Sequence, residues 1–198
     1  MSLNLRFRKP FAALALVALI VALPALASLK PGDNAPDFTV QGALDGKPFT
    51  FSLADALKQG PVVVYFYPKA FTKGCTVEAH LFAEATARYK ALGAQVIGIS
   101  GDDIETVKKF SVSECRSKFP VAADPGLAIA KSYDATLFLW PGHSDRTSYV
   151  ITPDGKILYA YTALKPDEHV TNTLEALTKW RAQHPLATPA DGGAKPAN

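Results

Sequence analysis

The chain has 198 residues, 48% of them hydrophobic and 20% charged, with 13 glycines, 15 prolines and only two cysteines. This composition supplies one ordinary globular core and excludes collagen-like, wholly disordered and disulfide-dense small folds. The formal charge of +3 is accounted for by Arg6, Arg8 and Lys9; the rest of the chain is balanced and carries no global footprint for nucleic acid.

Residues 1–27 join that basic start to an apolar run, Phe11 to Leu23, and to a Pro24-Ala25-Leu26-Ala27 ending with small residues at Ala25 and Ala27. The pattern predicts a secretory signal peptide removed before Ser28, hence a periplasmic protein with no membrane contact after cleavage. An uncleaved membrane anchor is the alternative, but a span needs about 20 apolar residues and this run reaches that length only through Pro24. Residues 28–184 then make one compact domain. Residues 185–198, with three prolines, two glycines and no apolar periodicity, read as a disordered tail.

In chain order, Phe38 to Val40 and Phe49 to Phe51 flank Asp45-Gly46, the signature of a tight β-hairpin. Val62 to Tyr67 is apolar at every position, as a central strand covered on both faces would be. Thr76 to Leu92 is helical, with Val77, Leu81, Ala85, Tyr89 and Leu92 as its apolar stripe and Gly93 as its stop. Ala94 to Ser100 is the next buried strand, and Asp102 or Asp103 caps a helix that runs towards Lys118 with Val107 and Phe110 inward. A short strand at 120–123, a short helix at 127–133, a hairpin of 148–151 and 157–161 through Pro153-Asp154-Gly155, and a helix from Asp167 to Arg181 complete the chain. A β-α-β unit followed by an antiparallel hairpin and a closing helix is the thioredoxin-like α/β arrangement, with a central mixed sheet and an N-terminal β-hairpin.

The two sulfurs, Cys75 and Cys115, sit in different surroundings. Cys75 falls in the first turn of its helix, where unpaired backbone N–H groups and the helix dipole favour a thiolate. Thr72, three residues earlier, is spaced to bring its hydroxyl beside the sulfur. A redox-active Cys-x-x-Cys pair would have sulfur at position 72, which here is Thr. On the cysteine count and the expected export alone, a plain structural disulfide is the ordinary reading, and closing that loop contributes roughly 4 kcal/mol in the chain-entropy model. Taken singly, Thr72 is a helix cap, Glu78 a solvated helix residue, Pro68 a strand terminator and Arg146 a surface charge. The four histidines share no ligand spacing, and Trp140 and Trp180 read as packing residues.

Together these residues reach a family. Pro68-x-x-x-Thr72-x-x-Cys75 resembles the active-site signature of peroxiredoxins, and Gly74-Cys75-Thr76-x-Glu78-Ala79 is similar to the peroxiredoxin Q (bacterioferritin comigratory protein) branch. The resemblance runs from Leu29 to Trp180 through the Lys30-Pro31-Gly32-Asp33-x-Ala35-Pro36-Asp37-Phe38 opening and through Arg146-Thr147-Ser148-Tyr149-Val150-Ile151. It implies a peroxiredoxin-type fold and an enzyme in which Cys75 attacks a peroxide oxygen, Thr72 and Arg146 hold the peroxide, and Pro68 shields the sulfur from water. It places Glu78 behind the guanidinium. The substrates implied are hydrogen peroxide and organic hydroperoxides, with no metal, flavin or haem.

One subgroup carries its resolving cysteine five residues after the nucleophile; that position here is His80. Cys115 fits the other subgroup, whose two cysteines form an intramolecular disulfide. Their Cα atoms must come within about 7 Å, so local unwinding follows if two helices hold them further apart. The resemblance further implies a thioredoxin-like dithiol reductant and a monomer. A thiol/disulfide exchange protein and a non-catalytic secreted domain are the rival readings. Two departures stand out: Lys73 replaces the proline of many relatives, where it either favours the thiolate or is merely solvated, and the segment 137–145, with Trp140-Pro141-Gly142-His143, is unlike the family pattern.

Overall fold

The computed structural model describes residues 29–186. The expected signal peptide, and the expected tail from residue 187 onward, lie outside those residues. Among the described residues no helix is long and apolar enough to cross a membrane.

Asp45 and Gly46 both adopt positive φ (52° and 72°), the backbone of a type I′ turn. They join β1 (Thr39–Leu44) to β2 (Lys47–Ser52) as expected. A short helix, α1 (Leu53–Leu57), then follows without an obvious sequence signal; the Ser52 hydroxyl caps it by accepting from the Asp55 amide at 3.2 Å. The remaining elements are β3 (Val62–Phe66), α2 (Lys73–Ala91), β4 (Gln95–Ser100), α3 (Ile104–Ser113), β5 (Val121–Ala123), α4 (Ala128–Ser132), β6 (Thr147–Ile151), β7 (Ile157–Thr162) and α5 (Asp167–Gln183).

The strands form one mixed sheet in the order β2-β1-β5-β4-β3-β6-β7. β3, β4 and β5 run parallel, and the two hairpins extend them antiparallel at either side. The N-terminal hairpin is therefore part of the main sheet, through β1 against β5. Strand alternation splits the core in two. Val63, Tyr65 and Tyr67 pack with residues of α2, α3 and α5, whereas Val62, Val64 and Phe66 pack with α1, α4 and the Tyr133–Tyr149 pair.

Three sequence expectations need correction. The buried stripe of α2 is Cys75, Glu78, Ala79, Phe82, Ala85, Thr86 and Tyr89, while Val77 is exposed; a carboxylate occupies the inward face because a partner waits there. Helix α3 stops at Ser113, because Arg116 and Ser117 adopt left-handed φ (50° and 57°) and close a turn, so Cys115 lies beyond the helix and not on it. Trp140 is 57% exposed and stacks on His143 rather than filling the core. Of the two aspartates proposed to cap α3, Asp103 does so, accepting from the Thr106 amide at 2.7 Å.

Tyr65 pairs in register with Gly98 across β3 and β4, and its ring occupies the space a side chain at 98 would need. A Cβ there would sit 2.6 Å from the ring. Gly98→Ala is expected to destabilise the fold by about 1–3 kcal/mol, the usual range for overpacking a filled core. A urea midpoint within error of wild type would contradict it.

Candidate active site

Cys75 is the third residue of α2. The first intrahelical bond runs from the Thr76 amide to the Thr72 carbonyl at 2.9 Å, so the amides of residues 73–75 have no acceptor within the helix and leave a partial positive charge around the sulfur. The thiol is buried and free, as is that of Cys115. The loop entering the helix is fixed from below: the Asp102 carboxylate accepts the Ala70 amide at 2.7 Å and the Ser100 hydroxyl at 2.9 Å.

The second element of the site comes from the start of β6. Strand alternation directs Arg146, Ser148 and Val150 towards α2 and α5, while Thr147, Tyr149 and Ile151 face the other core. Three edges of the buried Arg146 guanidinium are used. Nε donates to the Leu164 carbonyl at 2.9 Å, Nη1 to the Glu78 carboxylate, and Nη2 to the Cys75 sulfur at 3.4 Å. A planar fork with fixed N–H directions can serve all three; a point charge cannot. Gly74 completes the fit, since a Cβ at that position would lie 3.0 Å from Nη2.

Glu78 is fully buried, one helical turn after Cys75. Burial pushes its carboxyl up to about 8, with Arg146 pulling in the other direction. Burial works against the charge of Arg146 as well, yet Glu78 and Cys75 together hold it above its ordinary value. The guanidinium is thus the fixed cation of the site, and Glu78 is the group that adjusts.

Behind Glu78 lies a residue the sequence reading passed over. His169 of α5 is fully buried, its Nδ1 3.7 Å from Glu78 Oε1. Its Nε2 faces the Ala163 carbonyl at 2.8 Å and so carries the hydrogen, which leaves Nδ1 to accept from the Ser148 hydroxyl at 2.8 Å. Burial pulls the imidazole down to about 4, keeping it neutral. Glu78 Oε1 has no hydrogen-bond partner. The available signal was the inward stripe His169, Val170, Thr173, Leu174 and Leu177 along α5; nothing in it pointed to Glu78.

The other expected site residues divide. Pro68 is half-buried between β3 and the loop. Thr72 is the N-cap residue by position, but its hydroxyl donates to the Lys69 carbonyl at 2.9 Å and makes no hydrogen bond to the sulfur. Lys73 is exposed. Cys115 is buried in the same core as Cys75, and burial, with Glu114 adding to it, pushes its thiol well above the usual range. The segment 137–145 is a protruding loop closed by the Thr136–Ser144 bridge, with Phe138 and Leu139 84% and 90% exposed.

Fold and site together define a class: a thioredoxin-like α/β protein of the peroxiredoxin type, with a helix-start thiol faced by a buried arginine–glutamate pair. Residues 31–160 match the AhpC/TSA family, and the chain belongs to it. Peroxiredoxin Q of Triticum aestivum is 37% identical over 147 residues, 74% of this chain and 65% of the relative. That of Populus jackii is 36% identical over 152 residues, covering 76% and 69%. The chain thus spans slightly under two thirds of the wheat relative's length. Among solved structures, peroxidoxin BcpB from Mycobacterium tuberculosis superposes with a TM-score of 0.69 at 29% identity, covering 76% of this chain and 97% of the other. Mycobacterium tuberculosis AhpC shares the fold at 19% identity, with a TM-score of 0.70 and coverage of 81% and 98%.

Proposed function

We propose that the protein is a thiol-dependent peroxidase for hydrogen peroxide and organic hydroperoxides, exported to the periplasm and active as a monomer. The observation that carries the reading is the Arg146 guanidinium 3.4 Å from the Cys75 sulfur at the amino end of α2. Attack of a thiolate on HO–OR breaks the O–O bond, leaves Cys75 as a sulfenic acid and releases RO⁻, which takes up a proton to give water or an alcohol. Negative charge moves from sulfur to the leaving oxygen. A cation and helix-start N–H groups fixed beside both atoms stabilise that change without having to reorganise.

Arg146 bears on the sulfur and on the peroxide, and Glu78 holds the guanidinium in place. Thr72 turns its hydroxyl from the Lys69 carbonyl towards bound peroxide, and Pro68 limits access of water. The Cys115 thiol then displaces hydroxide from the sulfenic sulfur, giving water and the Cys75–Cys115 disulfide. A thioredoxin-like dithiol protein of the same compartment reduces it. The cycle needs no metal, flavin or haem, since sulfur itself carries the two electrons.

Stopped-flow mixing of the reduced protein with hydrogen peroxide tests this. Rapid thiol loss is expected in wild type, none in Cys75→Ser, and an unaltered first step without disulfide in Cys115→Ser. Thiol loss surviving in Cys75→Ser would refute the assignment.

A further inference from the structure

Cys115 is buried against the core from a turn that its own residues do not favour. Arg116 and Ser117 are both in the left-handed region, with φ of 50° and 57°, where a side chain crowds the backbone. Such a turn persists only when it is held from outside. The residues on either side of Cys115 are each tied to α2: the Glu114 carboxylate lies 3.0 Å from His80 Nε2, and Arg116 Nη1 lies 3.1 Å from the Glu84 carboxylate. His80 and Glu84 are one helical turn apart and follow Cys75 on the same helix. A third tie runs from the Ser117 hydroxyl to Asp45 at 2.6 Å.

We infer that the His80–Glu114 and Glu84–Arg116 pairs form a clip that sets how fast Cys115 is delivered to the oxidised Cys75. The inference rests on reading Cys115 as the resolving thiol. Opening the turn relaxes two left-handed residues and is resisted by the two pairs, by the Ser117–Asp45 bond, by the backbone bonds from Cys115 to Phe110 and from Ser117 to Ser111, and by the burial of Cys115. Weakening the clip therefore favours the open form and hastens attack on the sulfenic acid, in which Cys115 loses a proton, the S–S bond forms and the sulfenic oxygen leaves as water. The peroxide step involves neither pair. The longer the clip holds, the longer the sulfenic acid is exposed to a second peroxide, so these four residues determine sensitivity to over-oxidation.

The test is quenched-flow mass spectrometry of the full chain after mixing with hydrogen peroxide, following sulfenic acid and disulfide separately. In Glu84→Gln the sulfenic acid is expected to form at the wild-type rate and the disulfide about two- to fivefold faster, the range set by an exposed ion pair. In His80→Ala/Glu84→Gln the acceleration is expected to be roughly multiplicative, about tenfold for independent sites. Raising salt should speed disulfide formation in wild type, by screening the exposed pair, and do so less in Glu84→Gln. The exchanged pair Glu84→Arg/Arg116→Glu should return the rate towards wild type. Identical disulfide rates in wild type and both variants, with no salt response, would overturn the clip and leave the resolving role of Cys115 standing. Persistent sulfenic acid and no intramolecular disulfide in wild type would overturn both.

Discussion

Replacing Arg146 by alanine is expected to slow the reaction of the reduced protein with hydrogen peroxide by about 10²–10³, the loss that follows removal of one preorganised charge-stabilising donor. The guanidinium is the buried cation touching the sulfur, and the other edges of its fork, on Glu78 and the Leu164 carbonyl, keep it there. Arg146→Lys should recover little, because one ammonium cannot reach three acceptors that lie along different directions. The fold should survive either change, since the carboxyl left behind is already pushed up by burial and can take a proton. Stopped-flow thiol loss within threefold of wild type in Arg146→Ala would remove Arg146 from the reaction.

Glu78→Ala should act the other way round, on stability more than on the chemical step. Arginine cannot shed its charge, so removing Glu78 takes the acceptor from Nη1 of a buried guanidinium, a change that costs about 1–3 kcal/mol. Glu78→Gln, which keeps an acceptor for Nη1, should cost less. The ionisation of Glu78 also sets a pH window. Its folded value of about 8 stands above its ordinary 4.5, so the folded protein holds the extra proton. Its contribution to stability is present below about 4.5 and is lost as pH rises through about 8. His169 has the opposite sign: lowered from 6.5 to about 4, it contributes above about 6.5 and loses that contribution as pH falls through about 4. Between 6.5 and 8 Glu78 acts alone of the two. The melting temperature should fall across that interval in wild type, and Glu78→Gln should flatten the fall; equal slopes in the two proteins would show that Glu78 is not the titrating group.

The elements were legible where period and turn chemistry agreed. Asp45-Gly46 predicted a tight hairpin turn, and the unbroken apolar run 62–67 predicted the central strand. The stripe of α2 was displaced because apolar spacing cannot anticipate an inward carboxylate: Glu78 faces the core, where it meets Arg146 from the residue before β6. The helix through Cys115 was overextended for a related reason. Its last turn is ended by two left-handed residues that carry no glycine or asparagine to announce them; Glu84 holds Arg116 and Asp45 holds Ser117 from elsewhere in the fold.

The placement of Cys75 at the start of a helix follows from the local sequence alone, because a strand, a seven-residue loop and a helical period are short-range patterns. The Pro68, Thr72 and Cys75 spacing is local in the same sense. What faces that sulfur was decided by the tertiary structure. Arg146 immediately precedes β6, Ser148 lies on it, and Glu78 and His169 lie on α2 and α5; β6 must pair antiparallel with β3 before a guanidinium at its start can reach the helix. Even the charge of each group depends on this assembly: a carboxyl and an imidazole titrate normally in an open chain and shift only when burial removes the water around them.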